Sequence, residues 1–254
     1  MNVYQMLAYE SVRTFLGPWY SLAFSVQSEG LENVPEEGGA MLFCNHRSSL
    51  DQLALMYEVD RFVHFVAGSR GLVFPLARTF SRMTGMVRVP TAGGKRGGSG
   101  RGEVVRLLKD GEPVCMFPEG VGSFMRLEGE GDISYFRTDF VRMALEAEVP
   151  VIPVAVISRE YEGPPRVAAD LLGKQLERSP AVNRAARLFP TRKVLLRIGR
   201  PISLGGFSRE DMTKSDLNSL TGKLRRVVLR LYKGEELDRF LTGKIPFDIY
   251  TDRV

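Results

Sequence analysis

From residue 29 onward, short runs of consecutive apolar residues alternate with longer runs in which apolar residues recur every three or four positions. A run that is apolar at every position suits a strand covered on both faces, whereas the three-and-four spacing gathers apolar groups on one side of a helix. The pattern predicts strands over 40–44, 62–67, 86–89, 114–117, 149–157 and 194–198, and helices over 49–59, 72–83, 102–109, 136–146 and 209–232. Such alternation gives an α/β fold, with a mainly parallel central sheet flanked by helices. The run Val149-Pro150-Val151-Ile152-Pro153-Val154-Ala155-Val156-Ile157 is almost wholly apolar. Its two prolines lack the N–H a ladder needs, which places this strand near an edge or a strand end.

The start of the chain has a different pattern. Val3, Met6, Leu7 and Val12 fall at near-helical spacing, and the 15 residues from Thr14 to Ser28 carry no charge and include Phe15, Leu16, Trp19, Tyr20, Leu22 and Phe24. No run reaches the roughly 18 apolar residues of a membrane span. Glu10 and Arg13 interrupt the segment and no basic stretch opens it, so it does not have the form of a secretory leader. An amphipathic helix broken at Gly17-Pro18 and lying in a membrane interface fits the aromatic content, and packing against the protein's own core is the competing reading. The chain divides into a membrane-associating helical segment over 1–28 and a single domain over 29–254, with no Pro/Ser-rich linker or repeat inside the latter.

Composition narrows the class. With 254 residues, 44% apolar and 26% charged, the chain has length for a sizeable core, which excludes disordered, collagenous and disulfide-scaffold proteins. Cys44 and Cys115 lie inside apolar runs, as buried reduced thiols of a cytoplasmic protein would. The net charge of +5 is unevenly spread: 174–233 holds 15 Lys and Arg against 4 Asp and Glu, so the remainder is net negative. A second basic stretch, 70–106, has 8 basic residues and one acidic residue, Glu103. Charge alone leaves nucleic acid, anionic lipid and phosphorylated small molecules open as partners, beside a solvated basic face with no partner. Six glycines with Lys95, Arg96 and Arg101 over 93–102 suggest a mobile basic loop that clamps phosphate or merely connects.

Most recognisable chemistries are missing. Two histidines, His46 and His64, exclude most histidine-based metal sites, and there is no zinc-spaced Cys pair, His-Glu-x-x-His or Gly-x-Ser-x-Gly. Each Gly-Lys pair lacks the Ser or Thr a phosphate loop requires. His64 falls within the strand-like Phe62-Val63-His64-Phe65-Val66, and local satisfaction of its ring is the simplest account. His46 instead follows an apolar strand in Phe43-Cys44-Asn45-His46-Arg47-Ser48-Ser49-Leu50-Asp51, at a strand end, where α/β proteins place ligands. Ser48 or Ser49 suits a helix cap, and the loop can fold back so that Asp51 accepts from one imidazole nitrogen while the other takes a proton from a hydroxyl. A His-Asp pair that only stabilises the loop is the plainer alternative. A carboxylate also follows the strand Val114-Cys115-Met116-Phe117, in Pro118-Glu119-Gly120. Parallel strands deliver their ends to one edge, so His46, Asp51 and Glu119 can converge.

In these motifs the chain resembles the glycerolipid acyltransferases typified by 1-acyl-glycerol-3-phosphate acyltransferase. His46 and Asp51 match the family's His-x4-Asp, and Phe117-Pro118-Glu119-Gly120 matches its Phe-Pro-Glu-Gly. Glu29-Gly30-Leu31-Glu32-Asn33-Val34-Pro35 is similar to the lead-in, Val149-Pro150-Val151-Ile152-Pro153-Val154-Ala155 to the fourth block, and Arg197-Ile198-Gly199-Arg200-Pro201-Ile202 to a closing strand. The resemblance implies one-step transfer of an acyl group from acyl-CoA or acyl-carrier protein to a hydroxyl of a lysophospholipid. His46 is then the general base and Asp51 its orienting carboxylate, Asn45, Glu119 and Gly120 line the acceptor site, and no metal or further cofactor is needed. The implied partners are an anionic membrane surface and a lysolipid, not nucleic acid, and the implied location is the cytoplasmic face of the cell membrane, peripherally bound.

The chain departs from the family after Phe-Pro-Glu-Gly. Phosphate-using members continue Thr-Arg-Ser, but here Val121-Gly122-Ser123 follow, so the arginine expected on the acceptor phosphate is missing. Arg126, Arg137 or Arg88 are candidate substitutes; Gly85-Met86-Val87-Arg88 partly resembles the second block, and Ser69-Arg70 stand near where members often carry lysine. Lysophosphatidic acid is the leading acceptor. The alternatives are a lysolipid with a larger head group, an amino-acid lipid, a hydrolase that uses water, and a non-catalytic lipid- or nucleic-acid-binding protein of this fold.

Overall fold

The computed structural model of the chain describes residues 3–23, 25–47, 51–68, 85–89, 98–120, 133–158, 193–206, 212–242 and 247–248. The strands are β1 (Ser25–Glu29), β2 (Ala40–Cys44), β3 (His64–Gly68), β4 (Val87–Val89), β5 (Pro113–Met116), β6 (Val151–Ser158), β7 (Lys193–Ile198), β8 (Ile202–Ser203) and β9 (Phe247–Asp248). The helices are α1 (Val3–Ala23), α2 (Asp51–Glu58), α3 (Gly98–Lys109), α4 (Asp139–Ala147), α5 (Lys214–Lys233) and α6 (Leu237–Leu241), with a 3-10 turn at Leu31–Asn33. The helix expected over 72–83 lies outside the described residues.

One sheet has the order β1-β7-β6-β2-β5-β3-β4, with β8 beside β6 and β9 beside β8. Strands β6, β2, β5, β3 and β4 are mutually parallel, while β7, with β1 parallel to it, runs antiparallel to β6. The five parallel strands therefore bring their carboxyl ends to one edge. Alternate residues of β2 enter opposite cores: Met41 and Phe43 pack with α3, α4 and α5 residues such as Leu108, Phe140 and Leu224, whereas Ala40, Leu42 and Cys44 pack with Tyr9 of α1 and Leu55 of α2. Burial on both faces explains why β2 is apolar at every position.

Three expectations are corrected. Strand β6 is interior, between β2 and β7, not at an edge: Pro150 stands just before its first residue, as the strand-end alternative has it, but Pro153 lies within it. Its partner on one side changes from β8 at Val151 to β7 from Val154 onward, and Pro153 sits in the break, where its carbonyl accepts Gly199 N–H at 2.8 Å. A missing N–H costs little at such a junction. Helix α1 runs through Gly17-Pro18 without a break, since one proline removes one backbone bond and need not end a helix. The second half of the glycine run is no loop: Gly98–Arg101 form the first turn of α3. Gly100 is required there, because a Cβ would stand 2.0 Å from the Arg88 carbonyl oxygen.

Helix α5 begins at Lys214, later than the periodicity implies, because Thr213 caps it. Thr213 Oγ1 accepts Asp216 N–H at 3.2 Å, and Asp216 Oδ2 accepts Thr213 N–H at 3.0 Å. Helix α1 packs through Tyr9, fully buried with its ring 4.3 Å from Phe62, while Val3, Tyr4, Leu7 and Phe15 are exposed. Among the described residues no helix is long and apolar enough to cross a membrane.

Candidate active site

Strand β2 ends at Cys44, so the next two residues leave the sheet at the carboxyl edge. Asn45 stays in the ladder through its side chain: Val156 N–H donates to Oδ1 at 2.8 Å and Nδ2 donates to Val156 O at 2.9 Å. This buried amide prolongs the β2–β6 pairing by one step and fixes where the chain turns away. His46 follows, and its Nδ1 lies 2.9 Å from Asp51 Oδ2, the first residue of α2. The same carboxylate oxygen accepts Arg47 N–H at 2.7 Å, so the loop closes on its own backbone as well as on the ring. Both side chains are buried. A carboxylate only accepts, so Nδ1 carries the proton in this pair and Nε2 holds the basic lone pair. The Phe117 ring, at the end of β5, lies against the imidazole at 4.5 Å between centroids.

Glu119 reaches the same loop from the neighbouring strand. His46 N–H donates to Oε1 at 2.8 Å and Ser134 N–H donates to Oε2 at 2.8 Å, so this carboxylate joins two loops by their backbones. Gly120 gives the turn its shape, with φ of 78° and its N–H donated to Phe117 O at 3.1 Å. Arg225 of α5 supports the far side: Nε donates to Ile133 O at 3.0 Å and Ser134 O at 2.9 Å, and Nη2 also donates to Ile133 O. An unbroken set of contacts thus runs from α5 through Ser134 and Glu119 to the backbone of His46.

The residues proposed from sequence separate into groups. His46, Asp51, Glu119 and Gly120 lie together. Asn45 lies beside them, but both amide atoms engage Val156, so it positions the loop and its amide is not presented to a ligand. Glu119 likewise acts on the site through backbone amides. Arg137 is tied to the motif by its N–H, which donates to Pro118 O at 3.1 Å. Arg88 is exposed on β4, with β3 and β5 between it and β2. Arg126, Ser48, Ser49, Ser69, Arg70, Val121 and Gly122 lie outside the described residues. Arg47, Ser134, Val156 and Arg225 were not legible as site residues. Arg47 stands inside the His46 motif, but the other three depend on contacts between segments distant in the chain.

Three further reactive groups are buried in the sheet, His64 in β3, Cys44 at the end of β2 and Cys115 in β5. His64 is buried, its Nδ1 donates to Gly85 O at 3.2 Å, and burial lowers its pKa from the ordinary 6.5. Cys44 and Cys115 are buried free thiols whose pKa values are pushed up by burial, which keeps them protonated.

A family profile described as Acyltransferase matches residues 25–157, just over half of the chain, and includes His46, Asp51 and Phe117-Pro118-Glu119-Gly120. Proteins described as uncharacterized from Mycobacterium tuberculosis and Mycobacterium leprae are 28% and 25% identical over 173 residues, 64% of this chain and 46% and 44% of theirs. A 1-acyl-sn-glycerol-3-phosphate acyltransferase of Limnanthes alba is 24% identical over 130 residues, 51% of this chain and 44% of its own. The chain thus spans less than half the length of these relatives. The crystal structure of the 1-acyl-sn-glycerophosphate (LPA) acyltransferase PlsC from Thermotoga maritima is similar in fold, with a TM-score of 0.60 and 21% identity over 91% of this chain and 80% of that one.

Proposed function

Because the chain belongs to the acyltransferase family, we propose that it transfers a fatty acyl group from a thioester, acyl-CoA or acyl-carrier protein, to a hydroxyl of a lysophospholipid. The acceptor that fits the resemblance best is 1-acyl-glycerol-3-phosphate, giving phosphatidic acid in phospholipid synthesis or remodelling. The observation that carries the reading is the buried His46–Asp51 pair, with Nδ1 held at 2.9 Å and the ring backed by Phe117.

In the proposed step, His46 Nε2 removes the proton of the acceptor hydroxyl as its oxygen attacks the thioester carbonyl carbon. Asp51 stabilises the imidazolium that forms. The tetrahedral intermediate then expels the thiolate as the C–S bond breaks, and the imidazolium returns the proton to sulfur. The products are an ester and a free thiol, no acyl-enzyme forms, and the protein supplies the chemistry without a metal or further cofactor.

Such an acceptor lies in a bilayer, and the site is proposed to meet it at the cytoplasmic face of the cell membrane. Helix α1 supports this: its Tyr9 side is buried on the body, while Val3, Tyr4, Leu7 and Phe15 face outward. The basic surplus over 174–233 would add attraction to anionic lipid, about 1 kcal/mol for each residue that reaches the surface.

The test is product analysis. Labelled palmitoyl-CoA is incubated with the protein, liposomes and a panel of lysolipids. Label in phosphatidic acid is the expected result, label in another diacyl lipid changes the acceptor, and label only in free palmitate makes the protein a hydrolase.

A further inference from the structure

Arg47 directly follows His46, and its guanidinium lies over the Tyr232 ring of α5 at 4.9 Å. Its backbone N–H is engaged by Asp51, yet among the described residues no acceptor reaches its buried Nε and Nη2. These two nitrogens share one edge of the planar guanidinium, and their N–H bonds run side by side, the arrangement that grips two oxygens of one anion. The cation–π contact supplies no oxygen acceptor to that edge. Arg142 also leaves a buried Nε unmet, but among the described residues Arg47 is the arginine that leaves both nitrogens of this edge so; Arg225 donates from both, its Nε to Ser134 O at 2.9 Å and its Nη2 to Ile133 O. A half-buried cation with two buried, unanswered donors is unfavourable, and an oxyanion corrects both the charge and the hydrogen bonding.

The geometry points to Arg47 as the residue that binds the phosphate group of the acceptor, in the role left vacant where Gly122 replaces the family's arginine. The inference rests on the acyltransferase reading. The acceptor is favoured over the donor because its phosphate is a few bonds from the hydroxyl that must reach His46. In acyl-CoA the whole pantetheine arm separates the thioester from the nearest phosphate.

The experiment compares wild type with R47A and R47Q, both checked by thermal melting. Lysophosphatidic acid and phosphate-free monoacylglycerol serve as acceptors. Loss of a bidentate charged contact is expected to raise KM for lysophosphatidic acid about tenfold or more. The same variants should change kcat less, and leave KM for palmitoyl-CoA and for monoacylglycerol as in wild type. An unchanged KM for lysophosphatidic acid, an equal rise for both acceptors, or a rise for palmitoyl-CoA alone overturns the assignment. If wild type transfers to no acceptor, the proposed function fails separately. Calorimetric titration with sn-glycerol 3-phosphate then decides the anion site: binding by wild type that R47Q lacks supports it, and no binding by wild type overturns it.

Discussion

Glu119 holds His46 by its backbone and not by its ring: Oε1 accepts His46 N–H at 2.8 Å, while Oε2 accepts Ser134 N–H at 2.8 Å. The Phe-Pro-Glu-Gly motif therefore acts by placing the base. Glu119→Gln turns one acceptor oxygen into an NH2 group, which must face one of the two amides it now binds. The expected outcome is a fall in kcat of roughly tenfold to a hundredfold from a displaced His46. A kcat within threefold of wild type would remove Glu119 as the group that places His46.

Asn45→Ala removes both bonds to Val156 and strands a buried N–H and a buried carbonyl in the sheet. A loss of about 2–4 kcal/mol in unfolding free energy is expected by chemical denaturation, from two unmet backbone groups. A loss below 1 kcal/mol would mean that water or a shifted chain satisfies Val156.

His64 gives stability a dependence on pH. Burial lowers its pKa in the folded protein below the ordinary 6.5, so below pH 6.5 the unfolded chain binds a proton that the folded one resists. Its contribution is complete above pH 6.5 and declines as pH falls toward the lowered folded value. In His64→Gln, unfolding free energy measured across pH 7.5 to roughly 5 should decline less steeply than in wild type. Parallel slopes would remove His64 as the cause.

Much of the fold follows from apolar runs. The 40–44 run coincides with β2, and the alternation of its residues between two cores explains its uniform hydrophobicity. The edge strand Ser25–Glu29 carries no such signal, because Gln27, Ser28 and Glu29 are polar and the pairing with β7 is made by backbone. Pro153 misdirects for a related reason: no local pattern shows that the partner of β6 changes there. At the site, the His46–Asp51 contact is legible because it spans five residues and one loop. The tie from Asn45 to Val156 spans 111 residues, and that from Arg225 to Ser134 spans 91, so both exist only once the sheet and α5 are in place.

The outward apolar side of α1 gives a prediction for membrane binding. Leu7 and Phe15 are exposed by 56% and 73%, whereas Tyr9 on the same helix is buried. The double change Leu7→Glu and Phe15→Glu leaves the Tyr9 contacts in place. It should abolish flotation with anionic liposomes while the far-ultraviolet circular dichroism stays that of wild type. Undiminished flotation would move the membrane contact away from α1.

Activation of the acceptor hydroxyl by the His46–Asp51 pair is tested by initial rates of labelled palmitoyl transfer to lysophosphatidic acid. Wild type, His46→Ala and Asp51→Asn are compared, each with its thermal midpoint. Asparagine can keep its carbonyl oxygen on Nδ1–H and Arg47 N–H, but it lacks the negative charge that stabilises the imidazolium. No transfer above background is expected for His46→Ala and a fall on the order of 10³-fold for Asp51→Asn, with both proteins folded. Transfer by folded His46→Ala at near the wild-type rate would contradict activation by the pair.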